Sequence, residues 1–145
     1  MRHINEAGIA LIRVHEGLRL TAYPDPGSGG APWTIGYGST RGVTEGMTIT
    51  AEVAIERLRA DLAEAERCVE SCGVELTDNE FAALVSLVFN IGCGAFRGST
   101  LLRRMHAGDF EAAAEQFANW NRASGHVLAG LTTRRAAEAA LFETA

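Results

Sequence analysis

Three residues combine chemistry with an informative placement. Glu16 ends an apolar helical run, Asp25 sits inside the turn Pro24-Asp25-Pro26-Gly27, and Thr34 lies on the strand-like stretch Trp33-Thr34-Ile35-Gly36-Tyr37-Gly38. Two carboxyls and a hydroxyl, each where the backbone changes direction, suit an acid and base pair. Hydrolysis of a glycosidic bond asks for one carboxyl that is protonated near neutral pH and a second that stays ionised across the sugar. Glu16, with Trp33, Tyr37 and Phe96 as available apolar neighbours, suits the acid; Asp25, in a wet turn, suits the carboxylate. Both are also ordinary for their places, since Asp is a common turn residue. A Glu at a helix C-terminus, however, opposes the helix dipole at a cost of up to about 1 kcal/mol, the kind of conflict that functional sites carry.

The elements that must hold these groups are legible from periodicity and punctuation. Asn5 caps a helix whose apolar positions Ile9, Leu11, Ile12 and Val14 carry it to about His15, with Gly17 suited to a left-handed stop. Pro24, Pro26 and Pro32 with Gly27, Gly29 and Gly30 preclude a long helix next, so short strands are expected at Leu20–Tyr23, Trp33–Gly38 and Arg41–Val43. Thr50 caps a long helix from Ala51 to about Ser71, with a narrow stripe of Ala54, Leu58, Leu62, Ala65 and Val69 and with Glu52, Glu56, Glu64, Glu66 and Glu70 around it. Thr77-Asp78-Asn79-Glu80 forms a capping box before Phe81, Leu84, Val85, Val88 and Phe89. Ser99 and Asp109 cap two further helices, and a polar loop from Asn121 to Gly130 precedes a last helix, Thr132 to Glu143, expected to bury Ala136, Ala137, Ala140 and Leu141. The expectation is one mostly helical α+β domain over residues 1–145: a lobe of short strands at 16–50, a bridging helix at 51–72, and a helical lobe at 77–145 joined by the helix at 5–15.

Composition narrows the function. A chain of 145 residues, 47% hydrophobic and 21% charged, is expected to fold with no need of a metal or a disulfide, and no cofactor is expected. The net charge of −5 disfavours nucleic acid, and the basic pairs Arg103-Arg104 and Arg134-Arg135 read equally as solvated helix faces. Cys68, Cys72 and Cys93, an odd count, are expected to be free, partly buried thiols of a reducing compartment. The isolated His3, His15, His106 and His126 leave Cys68 and Cys72 without matching metal ligands. The run after Arg2 is too short and polar for a signal peptide or membrane span.

The order Glu16-Gly17, Tyr23, Asp25, Thr34-Ile35-Gly36-Tyr37-Gly38 resembles the catalytic region of the phage-type lysozymes, the endolysins that cut bacterial peptidoglycan. The similarity continues through Gly46 to Thr50, Phe89-Asn90-Ile91-Gly92, Phe96, Ser99-Thr100-Leu101-Leu102, Trp120, and Gly130-Leu131 with Arg134-Arg135, Glu138 and Phe142. The resemblance implies a lysozyme-like fold, with Glu16 as general acid, Asp25 as second carboxylate, Thr34 positioning the attacking water, and inversion at the cleaved carbon. It also implies an arginine of the last helical region paired with the glutamate, for which Arg134 is the match and Arg135 the second choice. The loop from Asp25 to Thr34 is longer than in the best-known members, and Ser39 stands where many have His. Tyr23, Tyr37, Asn90, Phe96, Asn119 and Trp120 are candidates to line the groove, with core packing the preferred reading for Phe96 and Trp120.

The reaction expected is hydrolysis of the β-1,4 bond between N-acetylmuramic acid and N-acetylglucosamine. A lytic transglycosylase giving 1,6-anhydro ends, or an idle peptidoglycan-binding module, is the alternative. With no export segment in view, the expectation is a monomer that accumulates in the host bacterial cytoplasm and does not itself enter a membrane; the resemblance implies a holin that releases it to the wall.

Overall fold

The computed structural model describes residues 1–145. The chain divides into two compact units, residues 13–63 and residues 1–12 with 64–145.

The smaller unit begins in the last turn of α1 (Glu6–Glu16), which Gly17 ends at φ +73°. β1 (Arg19–Tyr23) pairs antiparallel with β2 (Thr34–Gly36), Arg19 opposite Gly36 and Tyr23 opposite Thr34, with an irregular register between. The expected strand at Arg41–Val43 is absent. Gly42, at φ +68°, turns the chain there, and the outer edge of β1 is taken instead by residues 47–49, through a Thr21–Thr48 bridge and the bonds Ala22 N to Met47 O and Ile49 N to Leu20 O. The second expected strand stops at Gly36, because Gly36 and Gly38 both adopt positive φ and fold the chain back onto Ile35. Thr50 caps α2 (Ala51–Glu70) by accepting from Val53 N, and Ala54, Leu58 and Leu62 of its first turns are buried with Ile35.

The larger unit holds the later turns of α2, α3 (Asp78–Ile91), α4 (Cys93–Arg97), α5 (Thr100–His106), α6 (Phe110–Gln116) and α7 (Ala129–Phe142). The start signals perform as local chemistry requires. Thr77 and Glu80 satisfy each other's backbone donors, Ser99 accepts from Leu102 N, and Asp109 from Ala112 N. α3 supplies a continuous buried run, Phe81 to Val88, that packs against α7, while Phe142 of α7 meets the rings of Phe110 and Phe117 at 6.0 and 5.3 Å. Between α6 and α7 the expected loop contains a hairpin, β3 (Arg122–Ala123) with β4 (His126–Val127), turned by Ser124 at φ +52° and Gly125 at φ +80°. Two positive φ values at the turn suit the twist of the paired strands.

Three expectations are corrected here. α7 starts at Ala129 rather than Thr132, and it buries Arg134, Arg135, Glu138 and Phe142, whereas Ala136 and Ala140 are exposed. Glu66, expected on a solvated face, is 2% exposed because it receives Ile4 N at 2.7 Å and contacts His3. The cysteines are not all free: Cys68 of α2 is joined to Cys93 at the start of α4, their Cα atoms 6.0 Å apart, and Cys72 alone keeps its thiol. Cys68 lies in the last turn of α2 and Cys72 in the turn just after it, but the partner that meets Cys68 comes from 25 residues further along the chain.

Candidate active site

Glu16, Asp25, Thr34, Tyr23 and Tyr37 belong to the smaller unit. Glu16 is the last residue of α1 and half-buried. Its carboxylate rests over the turn that follows β2, since a Cβ added to Gly38 would stand 3.7 Å from Glu16 Oε1. That turn is tightly closed, Ile35 and Ser39 exchanging two backbone hydrogen bonds of 2.9 Å. Ile35, Tyr37 and Ser39 are all buried beneath it. The Ser39 hydroxyl accepts from Arg57, whose guanidinium also donates to the carbonyl of Arg41.

Asp25 is fixed by the loop it opens. Its Oδ2 accepts the backbone N–H groups of Gly27 and Ser28, both at 3.0 Å, and its own backbone pairs with Gly29 and Gly30. An Asx turn of this kind is what Asp does well. It anchors one carboxylate oxygen and leaves Oδ1 for a water or ligand. Thr34 is half-buried on β2, directly opposite Tyr23 on β1, and its hydroxyl makes only a long contact, 3.4 Å, to the carbonyl of Pro32. The ring of Tyr23 lies under the Arg19 guanidinium at 4.6 Å.

The remaining candidates fall in the larger unit. Asn90 is exposed near the end of α3. Trp120 is half-buried and lines a pocket of about 260 Å³ with Thr100, Leu101, Gln116 and Asn119. Phe96 has no exposed surface, so it is a core residue and does not present itself to a ligand. Tyr37, likewise, is only 4% exposed; its hydroxyl is the partner of Arg13 and its ring supports the turn.

Arg134 and Arg135 are not surface charges, at 4% and 0% exposure. Both converge on Glu138. Arg134 Nε donates to Oε2 at 3.3 Å and Arg135 Nη2 to the same oxygen at 3.2 Å, while the Ser86 hydroxyl donates to it from α3. Arg135 Nε stands 2.7 Å from Oε1 at an angle that makes an ion pair and no hydrogen bond. Arg134 also reaches the Ser86 carbonyl. Burial lowers the affinity of Arg135 for its proton, against the attraction of Glu138. The helical spacing of Arg134, Arg135 and Glu138 was a legible signal for this pairing. Nothing local announced Ser86.

Arg13 was missed as well. It stands three residues before Glu16, on the same side of α1, which was the available clue.

The family model described as phage lysozyme matches residues 13–138. The endolysin of Acyrthosiphon pisum secondary endosymbiont phage 1 is 43% identical to this chain, over 99% of each. The endolysin of Salmonella phage P22 is 44% identical over 98% of this chain and 99% of its own. Among solved structures, the muramidase domain of SpmX from Asticaccaulis excentricus superposes with a TM-score of 0.90 at 43% identity, covering 99% of this chain and all of that one. With the match spanning both units and the whole of the Glu16 to Thr34 region, the chain belongs to the phage lysozyme family of glycoside hydrolases.

Proposed function

We propose that this chain is an endolysin that hydrolyses the β-1,4 bond between N-acetylmuramic acid and N-acetylglucosamine. Glu16 protonates the leaving oxygen, and Asp25 with Thr34 holds and activates the water that attacks from the other face. The observation that carries this reading is the placement of Glu16 against a closed turn of the same unit in which Asp25 has one oxygen anchored and the other open. Water as nucleophile, rather than the sugar's own hydroxyl, is favoured by the presence of Asp25 and Thr34 in the same unit as the acid. Inversion requires room for that water, roughly 6.5 to 9.5 Å between the carboxyls. Arg134 is kept in this reading as a supporting residue, and Tyr23, Asn90 and Trp120 as residues offered to the glycan.

The chain works as a monomer at the wall, with a holin providing passage from the host cytoplasm. No helix is long and apolar enough to cross a membrane. The Cys68–Cys93 bond agrees with an oxidising place of work, because disulfides persist there and are reduced in the cytoplasm.

Glu16→Gln keeps the size of the side chain and removes the acid. It is expected to slow lysis of permeabilised Gram-negative cells by roughly a hundred- to ten-thousand-fold. Near wild-type lysis by the folded variant would sink the assignment. Mass spectrometry of digested wall is expected to show reducing ends; 1,6-anhydro ends would point to the transglycosylase instead.

A further inference from the structure

The last turn of α1 carries Glu16 but has little packing to hold it. The helix buries Gly8, Ile9 and Ile12, all in its earlier turns, whereas Arg13 and Val14 are exposed, Val14 at 78%. A general acid nonetheless has to stand within hydrogen-bond reach of its leaving oxygen, and displacement by about 1 Å can cost on the order of a hundredfold in rate. Something must tie this turn to the hairpin that Glu16 faces.

Tyr37 is placed to do so. Gly36 at φ +65° and Gly38 at φ +86° let the chain fold tightly on either side of it, and the paired backbone of Ile35 and Ser39 closes the loop. Its ring is buried, and its hydroxyl accepts Arg13 Nε at 2.9 Å. The Arg13 guanidinium carbon stands 5.5 Å from the centre of the same ring, within cation–π range. The turn thus meets α1 twice within one unit: Tyr37 holds Arg13, and Gly38 lies under the carboxylate of Glu16 one helical turn later. We infer that Arg13 and Tyr37 form a clamp that positions Glu16 for proton donation. Neither residue touches the reacting atoms; both act through the helix end. The inference rests on the assignment of Glu16 as the acid.

The test compares Tyr37→Phe, Arg13→Met and the double variant with wild type and Glu16→Gln, using initial rates on purified peptidoglycan over a range of concentrations. Tyr37→Phe keeps the ring and removes the acceptor; Arg13→Met keeps an exposed side chain of similar length and removes the donor. Each is expected to lower kcat about tenfold, with KM within about twofold and the pH profile unmoved, as for an interaction that matters only to the transition state. The double variant is expected to lose no more than either single one, because the two residues act as one unit. Arg13→Lys, a donor without the planar fork, is expected to recover part of the rate. Wild-type kcat in Tyr37→Phe and Arg13→Met alongside an inactive Glu16→Gln would overturn the clamp and leave the acid standing. Losses that multiply in the double variant, or that follow a fall in Tm in both single variants, would overturn it too. Activity surviving in Glu16→Gln would overturn the acid, and the clamp with it.

Discussion

Glu138 is a carboxylate with no exposed surface that serves two guanidinium groups and a hydroxyl at once. A buried ion cluster is weak evidence for stability by itself, since desolvation offsets most of the attraction, but removing one partner leaves buried charge behind. Glu138→Gln is therefore expected to destabilise the protein by about 3 to 5 kcal/mol, measured by denaturant unfolding, while Ala136→Gln on the exposed side of α7 stays within about 0.5 kcal/mol. The same residue gives a pH signature. Burial is the largest influence on its carboxyl and pushes it above the ordinary 4.5, against the opposing pull of Arg135, the Ser86 hydroxyl and Arg134. The folded chain then keeps this proton to higher pH than the unfolded chain does. In the window that opens at 4.5 the folded state binds more protons, so this contribution to stability falls as pH rises. Unfolding measured across that window is expected to give wild type a more negative slope than Glu138→Gln; equal slopes would contradict the direction assigned to Glu138.

Among the elements, α1 and α3 approach each other closely at Gly8. A Cβ there would stand 2.5 Å from Ile4 Cδ1, 2.6 Å from Ile4 Cγ1 and 2.8 Å from Ala82 Cβ; the tip of Ile4 can turn aside, but Ala82 Cβ is fixed to the backbone of α3. Gly8→Ala gains up to about 1 kcal/mol in helix propensity but forces overpacking that costs roughly 1 to 3 kcal/mol. A net loss is expected, read as a lower Tm; a raised Tm would mean that the helices separate at no cost. Elements set by short-range chemistry were readable in advance: the Thr77–Glu80 box, the Ser99 and Asp109 caps, the Gly17 stop and the α2 stripe all depend on neighbours within one turn. Elements set by distant partners were not. The buried charged side of α7 depends on Ser86, 48 residues before Arg134, and the edge of β1 goes to residues 47–49 rather than 41–43 because Gly42 turns away. Cys68 likewise found Cys93 and not its neighbour. In the candidate site, the places of Glu16 at a helix end and Asp25 in a turn could be read because they depend on local sequence, whereas the Arg13–Tyr37 bond spans 24 residues and has no sequence signature beyond the spacing of Arg13 from Glu16.

For the molecule as a whole, charge sets how it meets a polymer. Acidic residues outnumber basic ones 18 to 13, and two of the arginines, Arg134 and Arg135, are buried with Glu138 and add nothing to the outer surface. Of the two basic pairs in the sequence, only Arg103-Arg104 on α5 faces solvent, and Arg103 is engaged with Thr100 and the Gly98 carbonyl. An acidic protein has no long-range pull toward peptidoglycan, whose stem peptides carry free carboxylates, so encounter should not rely on electrostatic steering. Raising the ionic strength from 0.01 to 0.15 M shortens the screening length from about 30 to about 8 Å, which weakens repulsion between like-charged partners. The initial rate of lysis of permeabilised cells is accordingly expected to hold steady or rise by up to about threefold over that range. A steep fall would mean that a local cationic patch captures the wall, with Arg103 and Arg104 the first positions to neutralise; if Arg103→Gln with Arg104→Gln then abolished the salt dependence, short-range capture would replace uncharged encounter as the account of binding.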